Sequence, residues 1–296
     1  MPRVSVCMAV YNGEATIREV LETVQAQTYR DFEILVIDDG SKDRSAEIAR
    51  EMGARVLIQE NAGLGAVRKR LVEEALGDYI AFIDHDDDWV PDKLEKQMAV
   101  LDQTGAVMVH SDCWYLYDDG RVVERNLVLQ SDAGSFDQVL PDNWIVASSA
   151  VFSRNAMLKA GNFIPETVRC SDWYGWIILA SQGQFIHFPE KQVRYRVLST
   201  SLANAGYRFQ EAKRFLMKDI VLDHFERFFG MLPASDQAKY RKLVQRNIGI
   251  ALSTMAKHLD SEGKFKEAKP LHREALKLAP MVPRVWTRAV KSILKR

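Results

Sequence analysis

Tyr79-Ile80-Ala81-Phe82-Ile83-Asp84-His85-Asp86-Asp87-Asp88-Trp89 is the stretch from which the rest of this 296-residue chain is read. A short apolar run without helical spacing reads as a buried strand. It stops abruptly at Asp84, Asp86, Asp87 and Asp88, which therefore fall at or just past the strand's carboxyl end. In open α/β sheets ligands bind at that edge. Crowded carboxylates repel one another. A hard divalent cation that bridges to a phosphate removes the repulsion, because Mg²⁺ and Mn²⁺ take oxygen ligands. The competing reading is a solvated acidic turn, with Asp88 capping the helix that begins near Pro91.

Three segments upstream have the same character. Val4–Val10, Phe32–Ile37 and Arg55–Ile58 read as buried strands. Each is followed by a turn and a helical pattern, over Ala15–Gln27, Ser41–Ala49 and from Gly65 to Leu76. Strands alternating with helices predict an α/β fold with a doubly wound, mostly parallel sheet. Parallel strands put the Asp38–Asp43 turn and the Asp84–Asp88 turn on one edge, as two acidic contributions to one site. Asp39 has the chemistry to accept a hydrogen bond from a base imide or a ribose hydroxyl. Its alternative role is to cap the helix at Ser41–Ala49.

Taken together, Tyr11-Asn12-Gly13 after the first strand, Ile37-Asp38-Asp39-Gly40-Ser41, Asn61-x-Gly63, and Phe82-Ile83-Asp84-x-Asp86-Asp87 with Pro91 resemble glycosyltransferase family 2 over about the first 200 residues. The resemblance implies a GT-A fold, a nucleotide-sugar donor with UDP the commonest nucleotide, Mn²⁺ or Mg²⁺ as cofactor, and inversion at the anomeric carbon. By position it implies that Asp39 reads the base, that Asp84 contacts the ribose or sugar, and that Asp86 binds the metal. Tyr11 and Arg68 become candidate donor contacts, although Arg68 could instead pair with Glu73 or Glu74 on its own helix.

Downstream, residues 94–105 show helical spacing, Val107–Tyr117 reads as a long strand, and Asp118-Asp119-Gly120 signals a hairpin into Val122-Val123. Antiparallel strands after a parallel half suit an acceptor-side part. His110 reads as a polar strand residue, and residues 124–142 as a loop shaping the acceptor site. Asn143–Phe152 reads as another strand. Ser171-Asp172-Trp173 opens a helix, where the family pattern places a Glu-Asp pair holding the catalytic base. Asp172 matches the Asp; Ser171 replaces the Glu. An acceptor hydroxyl is a poor nucleophile until a base takes its proton, so Asp172 is the candidate base. Its bland alternative is a helix cap. Gln184–Pro189 and Gln192–Val197 read together as the closing strand of the unit. Arg196 either meets the diphosphate or pairs with a structural carboxylate. Leu198 stands where the family often has His, and Ser199–Gly206 has the composition of a lid.

Composition bounds the rest. Apolar residues make up 47% and charged residues 27%, ordinary for a soluble globular protein. No run approaches a membrane span, and the amino terminus shows no signal-peptide organisation, so a cytoplasmic setting is expected. Cys7, Cys113 and Cys170 read as reduced packing residues. The zero net charge conceals a division. Residues 1–204 hold 20 Lys and Arg against 31 Asp and Glu, and residues 205–296 hold 20 against 9. We therefore expect a catalytic domain over 1–204 and a basic, helical region over 205–296.

That region reads as helices at Phe209–Phe229 and Lys239–Leu259, then a hairpin over about 249–282. The hairpin resembles one tetratricopeptide repeat, with Pro270 disturbing its second helix. Residues 282–296 form a basic amphipathic segment suited to an anionic membrane at the inner face of the cell membrane, or to capping the hairpin. Expected partners are a nucleotide sugar and a glycan or lipid-linked acceptor; the chain has no motif for nucleic acid. The rivals are a phosphatase using an Asp nucleophile, which the lack of Thr or Gly after Asp86 disfavours, and a decayed nucleotide-sugar-binding protein.

Overall fold

The four apolar runs form the parallel strands that carry the site in the computed structural model, which describes residues 1–125, 139, 143, 145–165, 171–197, 226, 229–230 and 234–294. They are β1 (Val4–Val10), β2 (Phe32–Asp38), β3 (Arg55–Ile58) and β4 (Tyr79–Phe82), lying side by side in the order β3-β2-β1-β4. The crossovers are α1 (Ile17–Gln25), α2 (Ser45–Glu51) and α3 (Leu64–Glu74). Ile17, Val20, Leu21 and Val24 form one wholly buried face of α1, as their helical spacing predicts. The helix starts at Ile17 and not at Ala15. Glu14 is held outside it, its N–H donating to Asp43 and its carboxylate accepting from the Arg44 N–H, both at 3.0 Å.

Beyond β4 the sheet turns mixed. Asp88–Trp89 is a short strand, β5, followed by α4 (Lys93–Thr104), β6 (Met108–Tyr117) and β7 (Val122–Arg125). Then come β8 (Val151–Ser153), α5 (Arg154–Lys159), α6 (Ser171–Leu179) and β9 (Phe185–Val197). β8 pairs antiparallel with both β4 and β6, β9 runs parallel to β6, and β5 pairs antiparallel with β9. The described strands make one nine-stranded sheet.

Two local expectations are corrected. Asp88 is not a helix cap: it sits in β5 against Arg194, and Asp92 precedes α4. Asn143–Phe152 is not one strand. Ala147–Ser149 is a 3₁₀ turn ahead of β8. Its Ser148 and Ser149 carbonyls accept from Trp89 Nε1 and Gln97 Nε2 at 2.8 and 2.9 Å, and so are not free for a strand partner. The closing strand runs as expected, as β9: the β6–β9 register slips at Ser111–Cys113 and absorbs Pro189, which has no N–H to donate.

By internal contacts the chain divides into two compact units, one of Met1–Val139 with Asn143–Asn204, the other of Leu140–Asp142 with Ala205–Arg296. The second unit contains α7 (Ala234–Ser261), α8 (Phe265–Leu278) and α9 (Pro283–Leu294). α8 runs unbroken through Pro270, correcting the expected disturbance. Pro270 is exposed, so water can satisfy the carbonyl that loses its donor. One buried carboxylate joins the three helices: Asp260 pairs with His272 Nε2 at 2.8 Å and accepts from Ser292 Oγ at 2.7 Å. No helix among the described residues is long and apolar enough to cross a membrane. The acceptor-side loop after Arg125, the Ser199–Gly206 lid, Leu198, Cys170 and most of the Phe209–Phe229 helix lie outside the described residues.

Candidate active site

β1 is the axis of the site. Val10 is in register with Asp38 on one side and Cys7 with Phe82 on the other. The Asp39 N–H donates to the Val10 carbonyl at 2.9 Å and the Ile83 N–H to the Cys7 carbonyl at 3.1 Å. Both acidic turns therefore leave the sheet at one edge, flanking the loop that follows β1. Gly13 in that loop lets the Asp84–Asp88 turn close against it: a Cβ there would stand 2.9 Å from His85 Nδ1.

The four carboxylates of the turn divide into two pairs. Asp87 and Asp88 are buried, whereas Asp84 and Asp86 are half-buried. Asp87 accepts from Ser148 Oγ at 2.5 Å and from the Arg196 N–H at 3.1 Å. Asp88 takes the Arg196 guanidinium at 3.0 Å, which Glu19 shares at 2.8 Å. These two acids hold the turn to β9, leaving Asp84 and Asp86 facing the edge. Burial and then the charge on Asp84 raise the Asp86 carboxyl above its usual range. Burial and the Asp84 and Asp86 charges push Asp87 up further still, and burial with Asp87 does the same to the Tyr195 phenol. A divalent cation would relieve the repulsion between Asp84 and Asp86, so the donor set fits Mn²⁺ or Mg²⁺. Such ions bind through one or two carboxylates, with phosphates and water completing the shell. Accordingly, no three acidic, His or Cys side chains among the described residues gather as a metal cage.

Arg68 joins the halves of the unit. It projects from α3, buried, with its guanidinium carbon 5.6 Å from the centre of the Phe82 ring. Nη1 donates to Ser171 Oγ at 2.8 Å and lies 3.4 Å from Asp172 Oδ1; Nη2 lies 3.6 Å from Asp84 Oδ1. It does not pair with Glu73 or Glu74, which take Lys69 and Arg70 instead. Asp172, in the first turn of α6, also accepts from Asn143 Nδ2 at 3.2 Å. Beneath these groups Phe82, Phe152, Phe163 and Trp176 pack as an aromatic floor, with ring centres 5.2–6.4 Å apart. That apolar floor strengthens every charge interaction above it.

The remaining expected residues are placed as follows. Asp39 does not cap α2: its carboxylate holds the loop that leads into α3. Its oxygens accept from the Ala62 and Gly63 N–H groups at 2.9 Å and from Gln59 Nε2 at 2.7 Å. A carboxylate has about four acceptor positions, so one is left for a ligand. Tyr11 is half-exposed at the rim. Arg196 is held by Asp88 and Glu19. Sequence reasoning missed Ser148, which also accepts from the Asp84 N–H at 3.0 Å, and Asn143; nothing in their local sequence signals either role.

The profile described as Glycosyl transferase family 2 matches residues 5–154. EpsH of Bacillus subtilis (strain 168), a protein named for glycosyl transfer, is 38% identical over 132 residues, 43% of this chain and 38% of that one. An uncharacterized glycosyltransferase of Rickettsia felis is 30% identical over 200 residues, 66% of this chain and 33% of that one. The chain thus spans little more than a third of the length of these curated relatives. Among solved structures, S. aureus TarS 1–349 in complex with UDP-GlcNAc superposes with a TM-score of 0.61 at 16% identity, over 100% of this chain and 93% of that one. The mannosyltransferase PcManGT of Pyrobaculum calidifontis, in complex with GDP-Man and Mn²⁺, gives 0.56 at 18% identity, over 100% and 88%. With the family profile matched over half its length and its architecture shared with GT-A glycosyltransferases, the chain belongs to glycosyl transferase family 2.

Proposed function

We propose that this protein moves a sugar from a nucleotide diphosphate, with UDP the favoured nucleotide, to a hydroxyl acceptor by single displacement with inversion. The acceptor is a glycan, a lipid-linked saccharide or a small molecule, and the setting is cytoplasmic with peripheral membrane contact. The observation that carries this reading is Arg68 set 3.4–3.6 Å from both Asp172 and Asp84, the latter on the same acidic turn as the half-buried Asp86. The relatives' complexes with UDP-GlcNAc and with GDP-Man and Mn²⁺ support the donor class and a divalent cation.

In this reading Asp39 receives the base through its remaining acceptor position and Tyr11 borders it. Asp84 contacts the ribose or sugar, and Asp86 holds the cation. The cation, when bound, offsets the charge growing on the leaving diphosphate. Asp172 takes the acceptor proton as attack proceeds. Asn143 and Arg68 hold its carboxylate, so one oxygen keeps a fixed aim. Ser171, in place of the expected Glu, holds the Arg68 guanidinium. Arg196 contributes by fixing the acid turn through Asp88.

The test is a panel of sugar nucleotides with Mn²⁺ or Mg²⁺, scored for binding and slow donor hydrolysis. Asp86→Ala should abolish cation-dependent donor binding. Asp172→Asn should bind donor as wild type does and lose transfer; equal transfer by that variant removes Asp172 from the mechanism. Donor binding without turnover in the wild type would instead favour a nucleotide-sugar-binding protein.

A further inference from the structure

The sequence places seven apolar residues along one side of the segment that becomes α9. The structure separates them. Val285 and Ala289 are buried together with Ser292, closing against the rest of the helical unit, and Val282 is buried just before the helix. Trp286, Val290, Ile293 and Leu294 are left 51%, 46%, 68% and 78% exposed. At 3.6 residues per turn these four fall in one stripe about 100° wide along a helix roughly 18 Å long. Past Thr287, Lys291 and Arg284 follow around the helix. No acidic residue follows Glu274, and Lys295 and Arg296 add two more cations.

We infer that this exposed edge of α9 docks on an anionic phospholipid surface, with the four apolar side chains entering the boundary between headgroups and acyl chains, and Arg284 and Lys291 meeting the phosphates. The proposal takes up the membrane contact named above and is independent of the donor chemistry. Three points favour lipid over a protein. The Trp286 indole N–H already donates to the Pro280 carbonyl at 2.8 Å, so the ring can leave water without orphaning a donor. A symmetric contact through this edge with a second copy would bring one copy's Arg284 and Lys291 flank against a helix that offers no carboxylate to pair with them. Four side chains also fall far short of the roughly 800 Å² per partner of a stable interface. A helix with an apolar edge, a basic flank and a tryptophan has the composition of one lying in the interface plane.

The experiment is flotation of the full chain with vesicles, without donor. Wild type should float with vesicles of equal phosphatidylglycerol and phosphatidylcholine, and stay behind with phosphatidylcholine alone. Arg284→Gln with Lys291→Gln should weaken partitioning roughly thirtyfold, at about 1 kcal/mol per cation near an anionic surface. Ile293→Ser with Leu294→Ser should weaken it at least roughly tenfold. Both variants should keep the wild-type unfolding midpoint, since the altered side chains already face water. No flotation by wild type overturns the proposal. So does equal flotation by either variant, a lowered midpoint in the serine variant, or a solution dimer that the serine variant dissolves. Flotation that holds while every sugar nucleotide fails to bind would leave this inference standing and remove the transferase reading alone.

Discussion

Arg68 donates to Ser171 at 2.8 Å, and both side chains are buried although 103 positions separate them in the chain. The serine stands where the family pattern has a glutamate. In this protein that position is part of the guanidinium's surroundings: Arg68 is shared between a hydroxyl and two carboxylates, Asp84 and Asp172. Arg68→Met leaves both acids facing an aromatic floor without a cation. Breaking a buried pair costs about 3–5 kcal/mol, and with a third of the Asp84 side chain in water a loss of about 2 kcal/mol is expected. Urea unfolding at pH 7 measures it. Arg68→Lys should recover only part, because an ammonium keeps the charge but not the planar fork. A wild-type midpoint for Arg68→Met would show that the pairs stabilise nothing.

The parallel half was legible because its strands are uninterrupted apolar runs and its turns are short. The single edge carrying Asp39 and Asp86 follows from that topology alone. Local pattern could not show which of the four clustered acids face inward. Asp87 and Asp88 are buried by Ser148 and Arg196, which lie about 60 and 110 positions away. Ala147–Ser149 was misread for the same reason, since its carbonyls are claimed by Trp89 and Gln97. In α9 the amphipathic period was visible, but the division between packed and exposed apolar residues depends on how much of the helix its neighbours cover.

Ser148 fixes both ends of the acid turn, accepting from the Asp84 N–H at 3.0 Å and donating to Asp87 at 2.5 Å. Ser148→Ala leaves a buried carboxylate short of a donor, a cost of about 1–3 kcal/mol. If the turn presents Asp86 to a cation, the same change should also weaken the Mn²⁺ dependence of donor binding. Ser148→Thr, which keeps the hydroxyl, should restore that dependence even if the added methyl lowers stability. Calorimetric titration of Mn²⁺ with a sugar nucleotide reads it, and an unchanged midpoint for Ser148→Ala would reduce Ser148 to packing.

Gly175 lies inside α6, three residues after Asp172. In an exposed helix, replacing glycine by alanine stabilises by about 1 kcal/mol. Here a Cβ would stand 2.1 Å from Phe163 Cε1, and Phe163 is wedged among Phe82, Phe152 and Trp176. Overpacking of that kind costs about 1–3 kcal/mol, so the clash outweighs the propensity gain. Gly175→Ala should lower the thermal midpoint and, by displacing α6, separate Asp172 from Arg68 and reduce transfer. A raised midpoint would mean that α6 does not pack as described.

His110 lies near the start of β6, fully buried, its ring stacked 5.3 Å from that of His187, which itself bonds Asp112 at 2.8 Å. Neither nitrogen of His110 has a hydrogen-bond partner among the described residues. Burial, and then the charge of His187, holds its pKa down to about 3. The native state therefore refuses a proton that the unfolded chain accepts once the pH drops below roughly 6.5. The unfolded state binds more protons across that window, so stability is full above it and falls as pH descends toward 3, by about 1.4 kcal/mol per pH unit. His110→Leu abolishes the titration at similar volume. Its stability relative to wild type should rise steadily from pH 7 to pH 4, whatever offset the two proteins show at pH 8. Urea midpoints across that range decide it, and parallel curves for the two proteins would mean that His110 is protonated as easily in the fold as outside it.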